Sequence, residues 1–351
     1  MRQLGFAPNG GAVPIDAVPI DRGPIKEGSV VAAGHVHRIA RRQFLGESAA
    51  AALAAAAWVS SPRPTRAAIH SVPIHKSGSL ETLVVSDGYF FLPAAFLVTP
   101  GSPPAEREAA LNAAGQTGEQ LQLVNTVAVI RSQSDVILVD TGTGPRHQPT
   151  AGKLAENLKA AGIPPAAVTK IVLTHGHPDH LWGVLDANDS PIYPNASYLV
   201  SAVEWNLWAD ADVKRRLPAI LTANDRIING AKNHFSHVKD KIRTVRDGDE
   251  IVSGVQVIDT PGHTQGHISV EIAGEDGLVV VADALTHAVI SFQHPSWPVP
   301  VDHEPDRGIS TRLRLLDRLA VDKRRLIGAH LPFPGTGFVE RKDGAYRFVP
   351  A

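Results

Sequence analysis

The sequence predicts an α/β chain folded as a four-layer αβ/βα sandwich. Three observations predict it: two successive sets of β-branched, strand-like runs, helical stretches interleaved with them, and the finish of several of those runs on histidine or aspartate. Chemistry in α/β sheets gathers beyond the carboxyl ends of strands, so the third observation ties the fold to a site.

The chain has 351 residues with 43% hydrophobic content, enough for a large core in one or two domains. Lys and Arg number 34 against 35 Asp and Glu, a net charge of −1, which offers no general attraction to nucleic acid or to an anionic membrane surface. There is no Cys. Disulfides, thiolate nucleophiles and cysteine-ligated zinc are therefore excluded, and any metal must be held by His, Asp or Glu.

Residues 1–68 read as a disordered leader. The tandem "AVPIDAVPID" is rich in Pro and propagates no helix. Arg41 and Arg42 then precede Phe44, Leu45 and an Ala-rich run from Ser48 to Val59, a pattern that resembles a twin-arginine export signal. That run is well short of the roughly 20 residues needed to span a bilayer. The expectation is a periplasmic or secreted protein without a membrane anchor, carried across already folded, as the signal class implies.

Residues 69–351 read as one domain. "LVNTVAVI" (Leu123 to Ile130) and "DVILVDTG" (Asp135 to Gly142) form a hairpin pattern. "PTAGKLAENLKAAG" has helical spacing, with Leu154 and Leu158 four apart and Gly162 as its cap. "KIVLT" is a short buried strand that runs into "HGHPDHLWG". The second set repeats the pattern: "GVQVIDTPGH" reaches His263, "GLVVVADAL" reaches Asp283, a helix follows near Pro305 to Ala320, and "RLIGAH" ends at His330.

Pro178 biases His177 toward extended backbone and suits the first turn of a helix. "THGHPDH" should therefore run extended through His177 and turn helical after it. His175 and His177, two apart in the extended part, can face one metal ion; Asp179 and His180, in the new helical turn, can face another. The spacing suits a two-metal hydrolytic site.

"THGHPDH", "TPGHTQGH", "VVADAL" and "GAHLPFPG", in this order, resemble the metallo-β-lactamase superfamily. Leu80 to Pro350, with the tail "GAHLPFPGTGFVERKDGAYRFVP", resembles its methyl parathion hydrolase and lactonase branch. The resemblance implies His175, His177 and His263 on the first ion, Asp179, His180 and His330 on the second, and Asp283 as the bridge. It also implies that Asp140 orients a ligand histidine, a simple turn residue being the competing reading. His267 is read as a neighbour of the ligands rather than one of them. His234, His237, His287, His294 and His303 are read as surface or hydrogen-bonding residues.

Five neutral imidazoles and two carboxylates against two divalent ions leave two positive charges, reduced to one by a bridging hydroxide. Such ions lower the pKa of water from about 15.7 to roughly 7, about 12 kcal/mol in favour of hydroxide. Asp283 is thus expected to place the nucleophile, and Asp179, a weak base when ligated, to take or relay a proton in a secondary role. Zinc suits the nitrogen-rich sets, while manganese, cobalt or iron fit the same ligands.

Trp208, Phe292 and Trp297 are expected in the pocket wall, with ordinary core as the competing reading. No Arg or Lys cluster stands in "ALTHAVISFQHPSWPVP". The expected partner is a neutral, apolar small molecule, a lactone or ester first and an aromatic phosphotriester second. A homodimer is left open. A β-lactamase and a non-catalytic metal-binding protein are the remaining alternatives; the latter needs closed metal sites, whereas three terminal ligands and a shared aspartate leave each ion open.

Overall fold

A computed structural model describes residues 70–351, apart from 99–100, 224 and 275–276; the leader with its arginine pair lies outside the described residues. Sheet one contains, in chain order, β1 (Ser71–Ser77), β2 (Leu80–Pro93), β3 (Gln120–Arg131), β4 (Val136–Val139), β5 (Lys170–Leu173), β6 (Ser197–Ser201) and β7 (Ile242–Val245). β1 to β4 form an antiparallel meander, and β4 to β7 are parallel. Parallel neighbours need crossovers, so all of this sheet's helices but the first fall in this half. In chain order they are α1 (Pro104–Ala113) between β2 and β3, then α2 (Leu154–Ala160), α3 (Pro178–Leu181), α4 (Ala202–Ala209), α5 (Ala219–Thr222) and α6 (Arg226–Val238).

Sheet two comprises β8 (Glu250–Val252), β9 (Val255–Asp259), β10 (Ile268–Ile272), β11 (Leu278–Val280), β12 (Arg325–Ile327), β13 (Thr336–Lys342) and β14 (Ala345–Pro350), with neighbours in sequence order. Only β11 and β12 are parallel, and α7 (Ile290–Gln293) and α8 (Pro305–Asp322) fill their connection.

The period-two alternation of each strand builds the layers. Ala128, Ile130, Ile137, Val139 and Val172 of sheet one share a core with Val255, Val257, Val270, Val280 and Ile327 of sheet two. The alternate residues Val127, Val129, Leu138, Ile171 and Leu173 instead pack with Leu154 and Leu158 of α2 and with Phe235 of α6. On the far side, Val279 and Leu326 pack with Leu315, Leu316 and Leu319 of α8. Helices, sheet, sheet and helices make the expected four layers. The expected hairpin is β3 and β4; the helix capped by Gly162, at φ 76°, is α2; and the late helix extends two residues past Ala320. Among the described residues no helix is long and apolar enough to cross a membrane.

Candidate metal centre

His175 and His177 follow the end of β5, with Gly176 between them. A side chain at Gly176 would come within 2.2 Å of the Trp208 ring nitrogen, so the close packing of α4 against this loop requires glycine. His177 is extended at φ −72°, ψ 158°, and Pro178 opens α3, as the local sequence requires. Asp179 and His180 lie in that single turn. His263 follows β9, Asp283 follows β11, and His330 follows β12.

These seven side chains meet. His175, His177 and His263 bring one ligand atom each within 4.8 Å of one another, and so do Asp179, His180 and His330. Asp283 stands between the two sets: Oδ2 is 3.3 Å from His263 Nε2, while Oδ1 is 3.2 Å from His180 Nε2 and 3.3 Å from His330 Nε2.

The electrostatics of the sets differ. Burial and the neighbouring histidines push His175 and His177 well below the ordinary histidine value. In the other set burial acts the same way but is outweighed: Asp283 and Asp179 hold His180 well above its ordinary value and bring His330 up to about 10. Asp179 and Asp283, despite burial, are held well below the usual carboxylate range, first of all by His180.

The donor set fits divalent metal. His175 Nε2, His180 Nε2 and Asp283 Oδ1 are buried yet make no hydrogen bond, the last two despite their 3.2 Å separation. Buried polar atoms are normally partnered, and orphans converging on one point are what a cation would satisfy.

The rear nitrogens are all engaged. His180 Nδ1 donates to Asp140 at 2.7 Å, His263 Nδ1 to Asp302 at 3.0 Å, and His330 Nδ1 to the Val124 carbonyl at 2.9 Å. Thr174 gives its hydroxyl proton to Asp140, so its oxygen accepts from His175 Nδ1 at 3.1 Å. Asp140 therefore fixes the ring of His180, one of the seven converging residues. His267 Nε2 accepts from the Asp283 amide and its Nδ1 donates to Thr260, which keeps the ring out of the ligand set.

Residues 122–330, well over half of the chain, match the metallo-beta-lactamase superfamily. The chain belongs to that superfamily. Its structure resembles AidC, a dizinc quorum-quenching lactonase solved with a product, N-hexanoyl-L-homoserine, at 29% identity and a TM-score of 0.74, covering 80% of this chain and 97% of AidC. It also resembles AbOPH, a hydrolase of the beta-lactamase superfamily, at 27% identity and a TM-score of 0.73, covering 80% and 97%. Metallo-beta-lactamase domain-containing protein 1 of Xenopus laevis is 28% identical over 205 residues, 57% of this chain. The chain spans 66% and 69% of the first two curated relatives it matches.

In this metallo-beta-lactamase hydrolase His177, Asp179, His263, Asp283 and His330 form the floor of a cavity of about 230 Å³, walled by Phe90, Leu92, Phe96, Leu97, Leu221 and Val301. Trp182 also lines it, with the Arg226 guanidinium 5.1 Å above its ring. The three aromatics expected in the wall are elsewhere. Trp208 is 1% exposed behind the His175–His177 loop, where its ring N–H is taken by Glu204. Phe292 is buried against Phe348 in the core of sheet two, and Trp297 stacks on His294. They were expected over the metals because their segments resemble ones that lie there, but Trp208 and Phe292 turn into the cores of their own layers, and Trp297, half-buried, packs beside the cluster of Phe90 and Leu97 without lining the cavity. The wall comes instead from the long β2–β3 arm and from residues around α5 and α6.

The residues expected to be non-ligands stay so. His234 stacks on Trp182, His237 bonds the Asn233 carbonyl, and His287 Nδ1 accepts from the Val289 and Ile290 amides. Sequence reasoning missed Glu204, whose carboxylate accepts from the Gly176 amide, Trp208, Thr264 and the Gly266 amide and so ties the two ligand loops together. "SAVE" reads as a helix capping box, which hides that role. It also missed Asp302, which sits between His263 and buried Arg312, and His147 in the cavity wall. Neither lies in a ligand-spaced motif.

Proposed function

We propose that the chain is a dinuclear, zinc-dependent hydrolase of neutral, apolar lactones or esters, exported by the twin-arginine route. The observation that carries this reading is Asp283, with one oxygen facing each ligand set, on the floor of a mostly apolar cavity. His175, His177 and His263 would hold one ion and Asp179, His180 and His330 the other. Bound there, the pair would supply hydroxide at neutral pH and draw charge from the substrate's ester oxygen.

The chain's own residues do the rest. Phe90, Phe96 and Val301 hold the apolar part of the substrate and exclude water, which strengthens every charge interaction at the floor. Asp140 and Asp302 keep the protons of His180 and His263 on Nδ1, so that both Nε2 atoms face inward. Asp179 opens onto the cavity and can hold a proton on the carboxylate oxygen that lies 3.1 Å from His330.

Similarity to AidC supports a lactone or ester, and a mostly apolar wall, in which Arg226 is the one Lys or Arg among the described residues, supports a neutral one. Aromatic phosphotriesters are the second reading, because the same apolar wall accepts them. The test compares kcat/KM for an acyl-homoserine lactone, an aryl ester, methyl parathion and a β-lactam on one zinc-loaded preparation. A decisive preference for the β-lactam, or for a charged phosphodiester, overturns the proposal. Export has its own test: changing Arg41 and Arg42 to Lys should leave the protein in the cytoplasm, and normal export of that variant would exclude the route.

A further inference from the structure

Four of the five histidines in the two sets donate from Nδ1 to an oxygen and turn Nε2 inward. His177 is reversed. Its Nδ1 lies 3.0 Å from His263 Nε2, inside the cluster, and its Nε2 lies 3.2 Å from Nε2 of His303. The rear partner of this one ligand is another imidazole, which can be donor or acceptor where an oxygen of Asp or of the backbone can only accept.

We propose that His303 is a positioning residue for the first ion: a neutral imidazole whose Nε2 lone pair accepts the His177 Nε2 proton and so keeps Nδ1 of His177 free to bind metal. This rests on the reading of His175, His177 and His263 as a ligand set.

Two further observations support it. His303 Nδ1 is buried and has no hydrogen-bond partner, so the ring's tautomer is governed by His177. The His303 amide also donates to the His263 carbonyl at 3.0 Å, while the adjacent Asp302 holds His263 Nδ1 and is itself anchored by Arg312 at 3.1 Å. The dipeptide Asp302–His303 thus holds two ligands of the same set from one short stretch of backbone. The other set depends on sheet-one groups, Asp140 after β4 and the Val124 carbonyl in β3. A defect at residue 303 should accordingly act on one ion and spare the other.

The experiment compares His303→Phe, which keeps a ring and removes the acceptor, with His303→Gln, which keeps an acceptor oxygen. Cobalt and zinc affinities are measured by chelator competition, with the visible spectrum of the cobalt forms. Loss of a ligand's rear partner typically costs 10–100-fold in metal affinity. H303F should weaken one of two ions by about that factor and alter one set of cobalt bands, whereas H303Q should stay within about threefold of wild type.

Equal, wild-type binding of both ions by H303F overturns the proposal, as does H303Q behaving like H303F. Independent of any variant, ¹⁵N-histidine spectra of the zinc-loaded wild type should show His303 protonated on Nδ1 alone; a proton on Nε2 overturns the proposal. Wild-type protein that binds no more than one ion would instead refute the dinuclear reading, a result visible before either variant is made.

Discussion

Asp140 Oδ2 lies 2.7 Å from His180 Nδ1, and Asp140 itself sits in the left-handed region at φ 70°. Its other oxygen accepts the Thr174 amide at 2.7 Å, so β4 and the start of the ligand loop are joined through one carboxylate. Few residue types combine a short acceptor side chain with tolerance of that backbone.

Asp140→Asn should therefore fold. Its amide group, however, has to face either the His180 N–H or the Thr174 amide, donor against donor. Zinc affinity of the set containing His180 should fall by about 10–100-fold. Chelator competition measures this, and unchanged affinity of both ions would show that the carboxylate does not orient His180.

Asp283→Ala should reduce kcat by several orders of magnitude with little change in far-UV circular dichroism, because it removes the one carboxylate that faces both sets. His287→Ala should have the opposite profile. His287 is 4% exposed and accepts two backbone amides at the start of α7, so its loss should cost about 1–3 kcal/mol of stability while kcat stays near wild type. Thermal melts and steady-state rates on both variants separate the two cases; similar rates for the pair would remove Asp283 from the catalytic centre.

The convergence of the seven candidate ligands was legible because metal chemistry imposes spacing on sequence. His175, His177, Asp179 and His180 are four residues of one short segment, and His263, Asp283 and His330 each close a strand-like run. The layers were legible because both faces of β3, β4 and β5 are apolar and the runs are short. What holds the ligands was not. Asp302 and His303 lie in a loop before α8 and act on residues 39 and 126 positions earlier, so no local pattern marks them. The cavity wall was misread for a related reason: an aromatic near a ligand in sequence gives no direction for its ring, and none of Trp208, Phe292 and Trp297 lines the cavity.

Gly230 gives a prediction against the usual trend. Replacing glycine by alanine inside a helix commonly gains about 1 kcal/mol. Gly230 is inside α6, but a Cβ there would come within 2.2 Å of Trp182 Cζ2, and Trp182 is already stacked on His234, with ring centroids 5.6 Å apart. Gly230→Ala should instead cost about 1–3 kcal/mol by overpacking and move Trp182 within the cavity wall. A raised melting temperature would mean that the ring has free room to shift.

The apolar wall makes a quantitative prediction about substrate length. Each buried methylene contributes about 0.8 kcal/mol, or roughly fourfold in kcat/KM, as long as the cavity has room for it. A series of aryl esters with acyl chains of increasing length should rise at about that rate and then level off once the space bounded by Phe96, Leu221 and Val301 is filled. Val301→Trp fills part of that space, so its plateau should come at a shorter chain. Phe292→Leu removes bulk from the core of sheet two, outside the wall, and should lower the melting temperature while leaving the plateau where it is. A flat dependence on chain length in the wild type, or a plateau that moves with Phe292 and not with Val301, would mean that the substrate's apolar part lies outside this cavity.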